Sequence, residues 1–205
     1  MAAPVFVYRH AVNPGKGLAA TGALLIKPIL ALPHLLVISA LSSLTQVLAY
    51  IGYWMVALTG TMPGGIYQLI EIAYKWNART YGWIVGYTDL YPPFETHPAY
   101  PTDVTMEPNT TPSKGWAIAG ILLPVKLLAL LPHFVALAVI AIGVVFATWF
   151  GYFAVLFTGS LPVGIQDFVA GFIQWGIRVT AFLMGITDEY PKFSLEASPQ
   201  GTLPA

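Results

Sequence analysis

Leu35 to Leu58 is a run without a single charged side chain, and Phe134 to Phe157, displaced by 99 residues, is another. Each is long enough to cross the hydrocarbon of a bilayer as a tilted helix. Two such runs leave few soluble folds open to the chain. Its composition agrees: 57% of the 205 residues are hydrophobic and 9% charged, against about 25% charged in a soluble domain. Nine Lys and Arg balance nine Asp and Glu, so there is no basic field to hold nucleic acid, and that partner is set aside. The lack of cysteine excludes disulfides, thiolate metal sites and Cys nucleophiles. The N-terminal MAAPVFVYRHAVNPGKG has no long apolar stretch and is read as retained, not as a signal peptide.

Sliding the chain against itself by 99 residues aligns Lys27–Phe94 with Lys126–Phe193 without a gap, the signature of an internal repeat. Leu32, Pro33 and His34 fall on Leu131, Pro132 and His133. Thr59, Gly60 and Pro63 fall on Thr158, Gly159 and Pro162, and Trp76 and Arg79 on Trp175 and Arg178. Thr88, Asp89, Tyr91, Pro92 and Phe94 fall on Thr187, Asp188, Tyr190, Pro191 and Phe193. Residues 1–17 are read as an N-terminal cytoplasmic segment, 18–94 as the first membrane repeat, and 95–115 as a polar linker rich in Pro and Thr. Residues 116–193 form the second repeat and 194–205 a flexible tail.

In each repeat the uncharged helix should stop at Thr-Gly, where Gly can take the left-handed cap and the following Pro cannot continue the helix. A returning helix then runs from about Gly65 to Gly86, and from about Gly164 to Gly185, roughly 33 Å at 1.5 Å per residue. It either spans or lies in the interface. Upstream, Leu18–Leu32 and Trp116–Leu131 are apolar half-helices, with Pro124 and Pro132 the expected breaks in a helix otherwise too long for the membrane. The fold expected is therefore an all-α, polytopic membrane protein: two tandem helical hairpins, about four transmembrane helices, plus interfacial half-helices.

Arg9, Lys16, Lys27, Lys114, Lys126 and Lys192 all fall on the terminal and linker side, and the turns TGTMPGG and TGSLPVG carry no charge. The positive-inside rule then makes the protein multi-pass in the cell membrane, with termini and linker cytoplasmic and both hairpins in the same orientation. The alternative is one crossing per repeat, which would invert the second copy and separate Lys27 from Lys126.

Taken together, Pro-His, Thr-Gly-x-x-Pro, Trp-x-x-Arg and Thr-Asp-x-Tyr-Pro-x-Phe, each present twice, resemble a bacterial membrane-protein family catalogued only as a domain of unknown function. The resemblance covers both copies. It implies an integral membrane protein, often with tandem units, and supplies no activity or catalytic residues. Pro93 against Lys192 and Asn77 against Gly176 are departures between the copies.

His34 and His133 occupy equivalent positions. Either they satisfy carbonyls freed by the preceding prolines, or the two imidazoles together ligate haem or one metal in the bundle core. His10 and His97 add no ligand spacing, and no metal site or resident cofactor is assigned. Glu71, Lys75 and Arg79 form one stripe on the returning helix, either a neutralised ladder or a polar path for a proton or small solute. Its counterparts are Ala170, Gln174 and Arg178. Arg79 and Arg178 are expected to pair with Asp89 and Asp188, within or between copies. Tyr91-Pro92 and Tyr190-Pro191 read as aromatic anchors or as docking segments, and Tyr50, Tyr53, Trp54, Trp149, Phe150 and Tyr152 as an aromatic belt.

Ser/His/Asp, H-E-x-x-H, P-loop and Rossmann signatures are absent, and NPGKG lacks the P-loop spacing. The function expected is noncatalytic: an accessory or structural subunit of a larger membrane complex, such as a membrane-bound oxidoreductase. Its partners would be lipids, other membrane subunits or further copies of itself. The alternative is a small-solute or lipid transporter with a polar intramembrane path.

Overall fold

A computed structural model describes residues 4–9, 16–96 and 99–197. The chain is mostly helical. A short strand β1 (Val5–Tyr8) leads into α1 (Lys16–Ala23), α2 (Lys27–Leu30), the long α3 (Leu32–Thr59) and the returning α4 (Gly64–Ile84). Strand β2 (Thr102–Thr105) follows, then α5 (Lys114–Ile121), the long α6 (Leu123–Thr158) and the returning α7 (Val163–Leu183). Among the described residues two helices, Leu32–Thr59 and Pro124–Thr158, are long and apolar enough to cross a membrane.

Local chemistry sets the helix ends. Gly60 and Gly159 cap α3 and α6 in the left-handed region at φ 79° and 77°, a conformation that costs other residues a Cβ clash. Pro63 and Pro162 are the N-caps of α4 and α7. These returning helices close on Schellman turns, with Tyr87 N donating to the Gly82 carbonyl and Ile186 N to that of Ala181, both at 2.9 Å. The upstream break falls at Leu122, with ψ at 66°, two residues before Pro124. Pro132 is a correction to the expected breaks: it lies inside α6, which runs through it.

The two hairpins exchange their upstream helices. α1 packs on α6, and α5 packs on α3. Gly22 lies under the ring of Tyr152 and Gly120 under that of Tyr53, where a Cβ would come within 2.6 Å and 2.5 Å of ring carbons. Tyr152 donates to the Ile84 carbonyl at the end of α4, and Tyr53 to the Leu183 carbonyl at the end of α7. Leu161, in the second turn, faces Gly86 at the base of the first hairpin, and Lys114, just upstream of the second, faces Gly60 in the first turn.

The turn of each hairpin therefore rests on the base of the other, and the hairpins run antiparallel. Lys126 and Tyr152 stand on one continuous helix, about 26 residues and hence roughly 39 Å apart, and Lys27 lies over the Tyr152 ring. Lys27 and Lys126 thus occupy opposite ends of the molecule. This corrects the expectation of two hairpins in the same orientation with their basic residues on one side. An ungapped repeat fixes what each unit is, and the exchange of α1 and α5 decides how the units face.

β1 and β2 pair antiparallel, Val5 opposite Thr105 and Tyr8 opposite Thr102. Neither strand was expected in segments read as irregular. β2 packs on α4 and β1 on α7, whose other sides meet α3 and α6. Phe6, Tyr8 and Val104 enter one core cluster with Ala78, Tyr87, Val144, Val169 and Ala170. The helices α4 and α7 are thus a middle layer between the long helices and the strand pair.

Replacing Tyr53 or Tyr152 by Phe keeps the ring over its glycine and removes the donor to the opposite hairpin. Each change is expected to lower stability by about 1–3 kcal/mol, read from unfolding in detergent. Unchanged stability in both variants would contradict the latch.

Candidate functional site

Each Pro-His is closed over by the Thr-Asp-x-Tyr-Pro-x-Phe segment of its own hairpin. Trp76 Nε1 donates to His34 Nδ1 at 3.2 Å, and Phe94 stacks on the imidazole at 4.0 Å and 18°. Trp175 Nε1 donates to His133 Nδ1 at 3.0 Å, and Phe193 stacks at 3.8 Å and 19°. Tyr91 donates to the Leu30 carbonyl at 3.0 Å and Tyr190 to that of Ala129 at 2.7 Å, tying the extended segments down. Both imidazoles are fully buried. An Nδ1 that accepts from Trp carries no proton, so the neutral ring holds it on Nε2.

The alternative in which His34 and His133 converge on one haem or metal does not fit this arrangement. His133 lies about 19 residues, roughly 28 Å, along α6 from Tyr152, and Tyr152 belongs to the end of the molecule where His34 sits. Two axial ligands must meet at one iron. Among the described residues no group of three or more His, Asp or Glu side chains is placed to hold a metal ion. His10 and His97 lie outside the described residues.

The densest polar chemistry is at two buried lysines. Lys27 Nζ donates to the Trp83 carbonyl at 2.7 Å and lies 4.9 Å and 5.1 Å from the ring centres of Trp83 and Tyr152. Lys126 Nζ donates to the Phe182 carbonyl at 2.8 Å and to Tyr53 Oη at 3.1 Å, with the rings of Tyr53 and Phe182 at 4.5 Å and 4.7 Å. Each ammonium thus combines a helix-end carbonyl of its own hairpin with an aromatic face from the other, a geometry that stabilises a desolvated cation. Asp89 shares a small cavity with Lys27. Burial lowers the Lys27 ammonium to about 8 against the opposing field of that carboxylate.

The stripe on α4 is partly a ladder. Glu71 and Lys75 are ion-paired at 2.9 Å, each about one-fifth exposed, and Arg79 Nε donates to the Lys75 carbonyl at 3.2 Å. Arg79 is buried beside Trp76, and the charges acting on it are those of Asp103 and Glu95. Arg178 donates to the Ser194 carbonyl and holds the tail, with Glu196 and Glu189 as its acidic neighbours. Asp188 accepts from Asn109 Nδ2 at 2.9 Å and from Ser113 N at 2.8 Å, which anchors the start of α5, and its field reaches Lys126. The expected Arg–Asp pairs are therefore corrected: the aspartates face the lysines, because the chain turns at Gly86 and Gly185 and carries the carboxylates toward the helix bases.

Sequence reasoning used Lys27 and Lys126 only to count charge and placed Tyr53 and Tyr152 in an aromatic belt. Both tyrosines are buried, whereas Tyr50, Trp54 and Phe150 are exposed as a belt requires. Trp149 donates to the Ala23 carbonyl at 3.1 Å and joins α6 to α1. The available signal was the repetition of the lysines and tyrosines at a 99-residue spacing.

Two outcomes are expected. A double-mutant cycle of Lys126→Met with Asp188→Asn should give a coupling of about 0.5–3 kcal/mol, and one of Arg178→Met with Asp188→Asn about zero. The reverse ranking would reject this assignment. Because the folded Lys27 value lies below its ordinary 10.5, the unfolded chain binds more protons between those two values, and stability should rise with pH across that window. Lys27→Met should flatten the rise between pH 8 and 10 in unfolding midpoints; an equal rise in both proteins would contradict it.

The family model described as "Domain of unknown function (DUF4389)" matches residues 123–194, the span of α6, α7 and the aromatic segment that closes over His133. The resemblance drawn on the motifs of both copies is thus met by the model over the second. No curated protein and no solved structure matches the chain.

Proposed function

We propose that this chain is a duplicated helical hairpin seated in the cell membrane, and that it works as a noncatalytic accessory or structural subunit of a larger membrane complex, such as a membrane-bound oxidoreductase. The observation that carries the reading is a division of labour between inside and outside. The imidazole Nδ1 atoms, Lys27, Lys126, Arg178 and Asp188 are engaged within the chain. The outer surfaces of α3 and α6 present Leu36, Leu58, Val139, Val145 and Phe157 at 65–82% exposure. Such surfaces suit lipid and other membrane helices, whose association rests on close packing. The linker and the N-terminal strand share one side and would both face the cytoplasm.

A second reading is favoured by a cavity of about 430 Å³ between α1, the end of α4 and α6, lined by Gly22, Leu25, Val85, Val144, Phe146 and Trp149. Its size and apolar walls suit an acyl chain, in keeping with a lipid carrier. The Glu71–Lys75 pair gives the solute-transport version its polar element.

Extraction of the tagged protein from its native membrane in mild detergent, followed by mass spectrometry, is expected to recover other membrane subunits in near-stoichiometric amounts. A chain that emerges alone or as a homo-oligomer, holding only lipid, would reject the complex and favour the carrier. Flux lost in Glu71→Gln liposomes would favour the solute path.

A further inference from the structure

The polar cover lies where upright hairpins would place hydrocarbon. Gln174, at the middle of α7, donates to the Pro4 carbonyl at 2.9 Å and accepts from Phe6 N, which seats β1 over mid-helix. Thr102 Oγ1 donates to the Ala78 carbonyl at 3.0 Å, and Met106 packs on the cluster that holds Ile70 and Ala181. The chain then reaches Asn109 and Ser113, which bond Asp188 at the other end. The linker therefore travels from the Lys27 end to the Lys126 end along the outside of α4 and α7, carrying Asp103 near Arg79 and Glu107 near Tyr67, on either side of the middle of α4. In an upright bundle this would put a two-stranded ribbon with open edges, and a carboxylate to either side of mid-height, within the hydrocarbon, where unpaired backbone is not tolerated.

The long helices point the same way. At 1.5 Å per residue α3 is about 42 Å and α6 about 54 Å long, against a hydrocarbon core of about 30 Å. Over the middle turns of α3 the exposed polar residues keep to one edge, which Leu32 and Tyr50 continue toward its two ends. Ser39, Ser43 and Gln46 follow one edge at spacings that keep them on one face, and Leu36, Leu44, Val47, Ile51 and Leu58 follow the neighbouring arc. An interfacial helix keeps its polar residues to one side of its circumference. The outer face of α6 between Leu127 and Phe157 is apolar throughout.

We infer that the molecule lies in the membrane plane: the outer faces of α3 and α6 sink into the acyl chains of a single leaflet, α4 and α7 lie above them, and β1, β2 and the linker face water. The partner of the apolar face is one lipid leaflet. This rests on the membrane reading proposed above and changes its topology from crossing to embedding. The relation between the hairpins becomes a two-fold along the membrane normal, so both turns and both bases sit at one depth.

Because the chain has no cysteine, Thr61→Cys, Ser160→Cys and Glu107→Cys each give one thiol, the first two in the turns and the third on the linker. Carbonate-washed, sealed vesicles of each sidedness are treated with a membrane-impermeant maleimide. All three positions are expected to label from the same side, at least tenfold faster than from the other. Turns that label from opposite sides would overturn the inference in favour of an antiparallel spanning pair. Turns that label together, with Glu107 opposite, would overturn it in favour of spanning hairpins side by side. Loss of the protein in the carbonate wash would overturn the membrane reading itself. Gln68→Cys, exposed just beyond the first turn, replaces Thr61→Cys should that variant not accumulate.

Discussion

A lysine ammonium buried in an apolar molecule needs several partners at once, and the arrangement of this chain follows from how Lys27 and Lys126 find them. Each bonds a carbonyl at the end of its own returning helix, where the helix dipole leaves negative potential. Each also takes an aromatic face from the opposite hairpin, Tyr152 for Lys27 and Tyr53 for Lys126. The same tyrosines bond carbonyls one residue further along, at Ile84 and Leu183. Neither hairpin can satisfy its lysine alone, so the two must meet turn to base.

From that meeting the rest of the layout follows. With the bases at opposite ends, the segment between repeats has to run the length of the molecule, and it does so over α4 and α7 as β2 paired with β1. The strand pair shields the inner helices on one side while α3 and α6 shield them on the other. The two histidines, each shut beneath Trp and Phe rings, are held far apart, which removes the shared-ligand chemistry that their equivalence in sequence suggests. What remains outward is apolar surface and polar cover, the surfaces on which the proposed packing role rests.

Much of each hairpin could be read from the residues. Thr-Gly-x-x-Pro gave the turns, and Gly60 and Gly159 take the left-handed cap that motif implies. Leu35–Leu58 and Phe134–Phe157 lie within α3 and α6. The relation between hairpins could not be read, because a self-alignment is blind to whether two equal units face the same way. Counting Lys27 and Lys126 as cytoplasmic charges assumed exposure, and both are buried. The strands escaped because VFVY and TDVT are too short to show a period and are stabilised by Gln174 and Thr102 contacts distant in sequence. The Arg–Asp pairing failed for a related reason: helical spacing says nothing of a carboxylate placed beyond a left-handed glycine.

The central claim is the antiparallel seating of two hairpins, and the distance between their turns tests it most directly. Nitroxide labels at Thr61→Cys and Ser160→Cys in the otherwise cysteine-free chain would report that distance by pulsed dipolar spectroscopy in detergent or bilayers. Turn-to-base packing predicts a single population at about 40 Å or beyond, because both labels lie past the ends of the Lys126–Tyr152 span along α6. A population at about 20 Å or less, about two interhelical spacings, would place both turns at one end and contradict the account.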